Sequence, residues 1–156
     1  MNDRKLDNFK FIYTKIEPNI VKENRKFYQR RVRKAFIKWC TYEGYFNGVF
    51  TKLEIKHAKK GIVPEWCSIH HMRPLSGEDE GVNAFENLTI ISNVEHKRIN
   101  KTIYYPQLEP INNAPYGARI EIEVPKYDYV DSFSLVRDRP DKLKPYEIAK
   151  TKKFQR

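Results

Sequence analysis

The stretch IHHMRPLSGEDEGVNAFENLTIISNVEHKRIN, from Ile69 to Asn100, limits the fold more than any other part of the chain, because its local character changes three times. WCSIHHM has the short apolar, β-compatible make-up of a strand, and Pro74 denies it a long continuation. LSGEDEGVNAFEN is rich in Gly, Asn and acidic residues and reads as a loop. LTIIS is a compact β-branched strand. Ser92 and Glu95 then have the S-x-x-E spacing of a capping box, which predicts a helix from about Asn93 through His96, Ile99, Asn100 and Ile103. Strand, loop, strand and helix in that order predict an α+β fold.

The same stretch holds three of the four histidines of the protein. Helical residues four apart share a face, so His96 and Asn100 project together from the predicted helix. Neighbours on a strand point to opposite faces, so His70 and His71 are expected to differ in role. A simple division has one of them join His96 as a metal ligand while the other faces a substrate as a general base near neutral pH. His57, outside the stretch, is assigned no role.

Elsewhere the period is helical, then extended. NIVKENRKFYQRRVRKAFIKWCTYEGYF, after Pro18, places Val21, Tyr28, Val32, Ala35 and Trp39 on one narrow arc, with Gly44 as a stop. The opposite arc carries Lys22, Lys26, Arg30, Arg33, Lys34 and Lys38 with only Glu23 nearby, either a solvated face or a phosphate-binding one. YYPQLEPINNAPYGA reads as a loop or linker, and RIEIEVPKYDYV alternates Ile120, Ile122 and Val124 with charged residues, as one more strand or a hairpin would. The Pro-, Lys- and Arg-containing segment from Arg137 has little periodicity and is expected to be a mobile tail or to lie on a partner.

The resulting organisation is one domain over 1–156: a core at 64–104, a basic helical extension at 18–43, a β extension at 118–136 and a basic tail at 137–156. The formal charge of +10 favours a polyanionic partner, nucleic acid before a membrane surface. No apolar stretch is long enough for a signal-peptide core or a bilayer span, so a soluble, cytoplasmic protein is expected. Cys40 and Cys67 are the only cysteines and form no C-x-x-C pair, which excludes a four-cysteine zinc site and a disulfide framework.

The pattern H-H-x15-N-x8-H-x3-N, carried by His70, His71, Asn87, His96 and Asn100, resembles the HNH endonucleases, the nuclease colicins in particular. HHMRPLS and ENLTIIS resemble the flanks of that motif, and the likeness runs from about Trp66 to Ile103. It implies a ββα-metal (His-Me finger) core that hydrolyses DNA phosphodiester bonds, by nicking or double-strand cleavage. His71 is then the general base, with Asn87 orienting its imidazole through the side-chain carbonyl. His70 and His96, with Asn100 as a third and weaker ligand, would hold one divalent ion that stabilises the transition state. Asn100 stands where the colicin pattern has a third histidine. An amide beside two imidazoles moves the site away from tight zinc binding toward Mg²⁺, with Mn²⁺, Ni²⁺ and Zn²⁺ still open.

DNA would be met mainly through its phosphates, by Arg73 and by Lys22, Lys26, Arg30, Arg33 and Lys34. Two other readings use the same residues. One is a basic nucleic-acid-binding protein on a decayed HNH scaffold. The other is a structural metal site, for which two histidines and an amide are a poor ligand set.

Overall fold

The computed structural model describes residues 4–77 and 81–141. Over the described residues the fold is α+β, with two separate two-stranded antiparallel sheets and helices packed around them. The first strand, β1 (Asn8–Thr14), leads to α1 (Pro18–Phe27), whose proline sits in the first turn where no backbone N–H is needed. A wider π-helical turn (Tyr28–Val32) joins α1 to α2 (Arg33–Tyr42), and Gly44, at a φ of 80°, ends the helix as the sequence predicts.

That wide turn corrects the helical arc. It inserts a residue into the 3.6 period, so the buried side after it is Val32, Phe36, Ile37 and Cys40, while Ala35 is exposed and Trp39 only half-buried. The short helix α3 (Lys52–Ala58) carries a complete capping box, in which Glu54 N donates to Thr51 Oγ1 (3.1 Å) and Thr51 N donates to Glu54 Oε1 (2.9 Å).

The central hairpin pairs β2 (Cys67–His71) with β3 (Leu88–Ser92), Cys67 opposite Ser92 and His71 opposite Leu88. Every residue of β3 is buried, because apolar clusters cover both faces of it. Leu88 and Ile90 pack with Phe36, Ile37, Phe46 and Phe50 on the α2 side. Ile91 packs with Tyr13, Ile99, Tyr104, Ile122 and Val124 on the other. An unbroken β-branched run such as LTIIS is what a strand buried on both faces requires.

Helix α4 (Asn93–Ile99) follows β3 directly, and Ser92 Oγ accepts from Glu95 N at 3.0 Å. Only this half of the expected capping box forms. Ser92 N donates to Ser134 Oγ, and the Glu95 carboxylate turns inward to accept from Arg98 (2.8 Å), Arg137 (3.0 Å) and the Tyr127 hydroxyl (2.6 Å). A second π-helical turn (Asn100–Tyr104) continues into α5 (Tyr105–Leu108), so the segment read as a loop begins as helix.

The β extension is also corrected. β4 (Arg119–Pro125) pairs not with its own downstream residues but with β1, Thr14 opposite Arg119 and Asn8 opposite Pro125. Its alternation is as predicted, with Ile122 and Val124 inward and Arg119, Glu121 and Glu123 outward. The sequence 126–131 is not strand, and α6 (Ser132–Arg137) follows it. The start of the expected tail is packed: Arg137 bonds Glu95 and Asp138, and the buried Arg139 donates to Glu54 Oε1 at 2.6 Å. Residues 142–156, the rest of that segment, and 78–80 of the loop lie outside the described residues. Among the described residues, no helix is long and apolar enough to cross a membrane.

Candidate active site

β2 delivers its two histidines to the end of the hairpin, and α4 brings a third across from them. His70, His71, His96 and Asn100 line one cleft of about 420 Å³, together with Arg25, Tyr28, Gln29 and Tyr104. The sequence-predicted ligands therefore converge: the His70 and His96 rings stand 5.2 Å apart, centre to centre. Asn100 keeps the helical relation to His96, its N–H bonding the His96 carbonyl, so both address the same space.

Each strand histidine has its own surroundings. His70 is buried against Tyr104 and Tyr127, and its Nε2 lies 3.0 Å from the Tyr104 hydroxyl. That hydroxyl donates its one hydrogen to the Met72 carbonyl at 2.6 Å. It can therefore only accept from His70, which puts the proton on Nε2 and leaves Nδ1 with its lone pair. His71 turns to the other side, edge-on to the Tyr28 ring at 4.7 Å, with Nε2 3.0 Å from Asn83 Oδ1. The Asn83 amide nitrogen donates to the Asn24 carbonyl, which fixes the oxygen toward the ring; His71 thus carries its proton on Nε2 as well.

All three imidazoles are held neutral. Burial pushes the His70 pKa well below the usual histidine value, and the neighbouring His96 and His71 push it further. Burial also lowers His71, with Arg25 and His96 acting in the same sense and the Asn83 hydrogen bond opposing them. Burial lowers His96. Neutral imidazole is the form that accepts a proton or ligates a metal. Among the described residues no three His, Cys, Asp or Glu side chains gather in a metal-holding group, so an ion here would rest on two imidazoles and the Asn100 amide.

The Asn87 side chain does not hydrogen-bond the His71 ring. Its Oδ1 accepts from Arg73 N (2.7 Å), and its Nδ2 donates to Arg73 O (2.9 Å) and Val82 O (2.8 Å). With all its polar atoms engaged across the loop, Asn87 closes the connection between β2 and β3, and Asn83 is the residue that holds the imidazole. Arg73 is half-buried, clamped by Asn87 through its backbone, and is not in the wall of the cleft.

The cationic arc divides. Lys22 and Lys26 line a groove of about 900 Å³ that adjoins the cleft and shares Arg25, Gln29 and Ser76 with it. Arg30, within the wide turn, and Arg33, just after it, are exposed, and the Lys34 stem lies over Gly61, away from the groove. Arg33 acts on Tyr28, whose hydroxyl burial pushes up to about 12 against the pull of that guanidinium. Arg25, Asn83 and Tyr104 belong to the site although the sequence does not single them out, and Tyr28, expected on the apolar arc of the helix, lines it too. Arg25 and Gln29 are four apart on the same helix face, a signal that was available; Asn83 was one of several loop asparagines. Cys67 is a buried free thiol that burial pushes upward, and no ligand. His57 is exposed.

No family model matches the chain, and no solved structure matches it. The chain is similar to YhhZ of Escherichia coli (strain K12), a protein described as uncharacterized, with 31% identity over 94 residues. The matched part is 60% of this chain and 24% of YhhZ, so the similarity spans about a quarter of that relative.

Proposed function

We propose that the protein is a metal-dependent endonuclease of the HNH type, hydrolysing phosphodiester bonds of DNA on a ββα-metal core. The observation that carries this reading is the convergence of His70, His71, His96 and Asn100 on one cleft that has Arg25 in its wall. A hairpin whose first strand ends in two differently engaged histidines, and whose second strand runs directly into a helix bearing the third, supports the division of labour that the motif implies.

In this mechanism the His71 Nδ1 lone pair takes a proton from water, the water oxygen attacks phosphorus, and the bond to the 3′-oxygen breaks. The products carry a 5′-phosphate and a 3′-hydroxyl, the leaving oxygen taking its proton from solvent. Asn83 keeps the imidazole in the orientation and tautomer that this requires, the role that the HNH resemblance implies for Asn87. Tyr104 does the same for His70, whose Nδ1 would then be the nitrogen left to hold an ion. Two neutral imidazoles and an amide oxygen fit a weakly held, hydrated divalent cation such as Mg²⁺ better than a tight zinc site. Bound there, such an ion would supply neutralisation of the charge that develops in the transition state. Arg25, Lys22 and Lys26 would hold the flanking phosphates.

The test is supercoiled plasmid incubated with the protein in chelator, then with Mg²⁺, Mn²⁺, Ni²⁺ or Zn²⁺ restored. Conversion to nicked or linear DNA only after metal is restored is the expected result. Binding without cleavage in every metal would instead support the decayed-scaffold reading.

A further inference from the structure

The histidine cleft has a groove on each side. On the α1 side, the larger groove shares Arg25, Gln29 and Ser76 with the cleft and adds Lys15, Lys22 and Lys26. On the α4 side, a groove of about 660 Å³ shares His96 and Asn100 with it and adds Lys97 and Lys101, one helical turn apart. Among the described residues, neither groove has an Asp or Glu in its walls. Each also contains an exposed tyrosine. Tyr116 lines the first at 55% exposure, with the Lys15 ammonium 5.6 Å from its ring, and Tyr105 lines the second at 64% exposure.

From this juxtaposition we propose that the three form one track for a single strand of nucleic acid, crossing the site between two cationic grooves with bases stacked on Tyr116 and Tyr105. The inference rests on the nuclease reading and adds the substrate class to it. Cations on both sides of a reactive centre hold the phosphates on either side of the bond to be cut, which keeps that bond from sliding. The tyrosines decide the strandedness. An exposed aromatic ring beside a cationic groove stacks on bases that are already unpaired, and in a duplex those faces are occupied by neighbouring bases. The Lys15 ammonium is fixed by the Asn112 and Ala114 carbonyls, both at 2.7 Å, so the first groove holds its charge in place beside Tyr116.

The experiment is fluorescence anisotropy of the full chain in chelator, with labelled oligothymidylate and a blunt hairpin duplex of equal phosphate number. The wild type should bind oligothymidylate more tightly than the duplex. Tyr116→Ala and Tyr105→Ala should each weaken oligothymidylate by about fivefold or more and leave the duplex unchanged. The Lys22→Ala/Lys26→Ala and Lys97→Ala/Lys101→Ala pairs should each lower the log-log salt slope by about 1.4. Lys59→Ala/Lys60→Ala, exposed after α3, is the control and should change nothing.

Equal or tighter duplex binding, unaffected binding in the tyrosine variants, or a silent groove on either side would overturn the track. Because nothing is cut in chelator, the outcome is independent of catalysis. A protein that binds in this way yet cuts neither supercoiled plasmid nor single-stranded circular DNA in any metal retains the track and loses the nuclease reading. One that cuts while all four variants bind as the wild type does the reverse.

Discussion

Asn83 Oδ1 stands 3.0 Å from His71 Nε2, and Asn83 is held in turn by the carbonyl of Asn24 on α1. The imidazole is thus oriented through a loop residue anchored to the N-terminal helix, while Asn87 binds only backbone and holds the loop shut. The two asparagines should separate cleanly. Asn83→Ala is expected to slow cleavage, by less than the roughly 10²- to 10⁴-fold attributable to a general base, with the melting temperature nearly unchanged. Asn87→Ala leaves the Arg73 amide and two carbonyls without their partner and should destabilise the fold by about 2 kcal/mol or more. Thermal melts and cleavage rates on both variants check this. Equal losses of stability would contradict it.

Tyr104 ties His70 to the Met72 carbonyl through one hydroxyl. Tyr104→Phe keeps the ring in its cluster but frees His70 Nε2 and the tautomer with it. Metal affinity measured by titration calorimetry should drop about 10- to 100-fold, the usual effect of losing such an outer hydrogen bond. A variant that binds metal as the wild type does would remove Tyr104 from the site.

Glu95 is fully buried and accepts from Arg98, Arg137 and Tyr127, with Arg4 close by. Burial alone would raise its pKa, but these partners outweigh it and bring the carboxyl to about 2 from an ordinary 4.5. A depressed carboxylate contributes stability that is complete above the unfolded-state value and is lost as the pH falls toward the folded one. Between pH 4.5 and 2 the wild type should therefore lose stability steeply, and Glu95→Gln should lose less over that window. At neutral pH the substitution should cost about 3 kcal/mol at most, since the arginines keep some access to water. Melts across the pH range test the slope.

Asn100→His adds a third imidazole where the amide now faces the cleft. Zn²⁺ and Ni²⁺ should bind more tightly, while Mg²⁺-supported cleavage falls or stays level. Asn100→Ala should be milder than His96→Ala, because water can replace a weak ligand. Unchanged zinc affinity in Asn100→His would mean that residue 100 does not reach the ion.

The strand-loop-strand-helix core was legible because its signals are local: the β-branched LTIIS, the Ser92 cap and the four-residue spacing of His96 and Asn100. What was not legible depended on partners far away in the chain. β4 was readable as a strand, yet its pairing with β1 joins residues more than a hundred positions apart, which no local pattern encodes. The Glu95 side chain fits a capping box by spacing, but Arg4, Arg98 and Arg137 offer it stronger charge-assisted bonds. A π-helical turn has no periodic signature of its own, so an unbroken 3.6-residue arc carries Ala35 inward and misses the buried Phe36. Asn83 and Asn87 are the same residue type in one loop, and only the fold distinguishes the one that meets His71.

The central claim is that His71 is the base and His96 a metal ligand, and paired measurements on His71→Ala and His96→Ala test it most directly. Both variants are titrated with Mg²⁺ and Zn²⁺ by calorimetry and assayed on supercoiled plasmid in the same metals. Cleavage should vanish in both, while metal affinity survives in His71→Ala and collapses in His96→Ala. If His71→Ala loses metal as fully as His96→Ala, or still cuts at the wild-type rate, the division of roles between the two histidines is wrong.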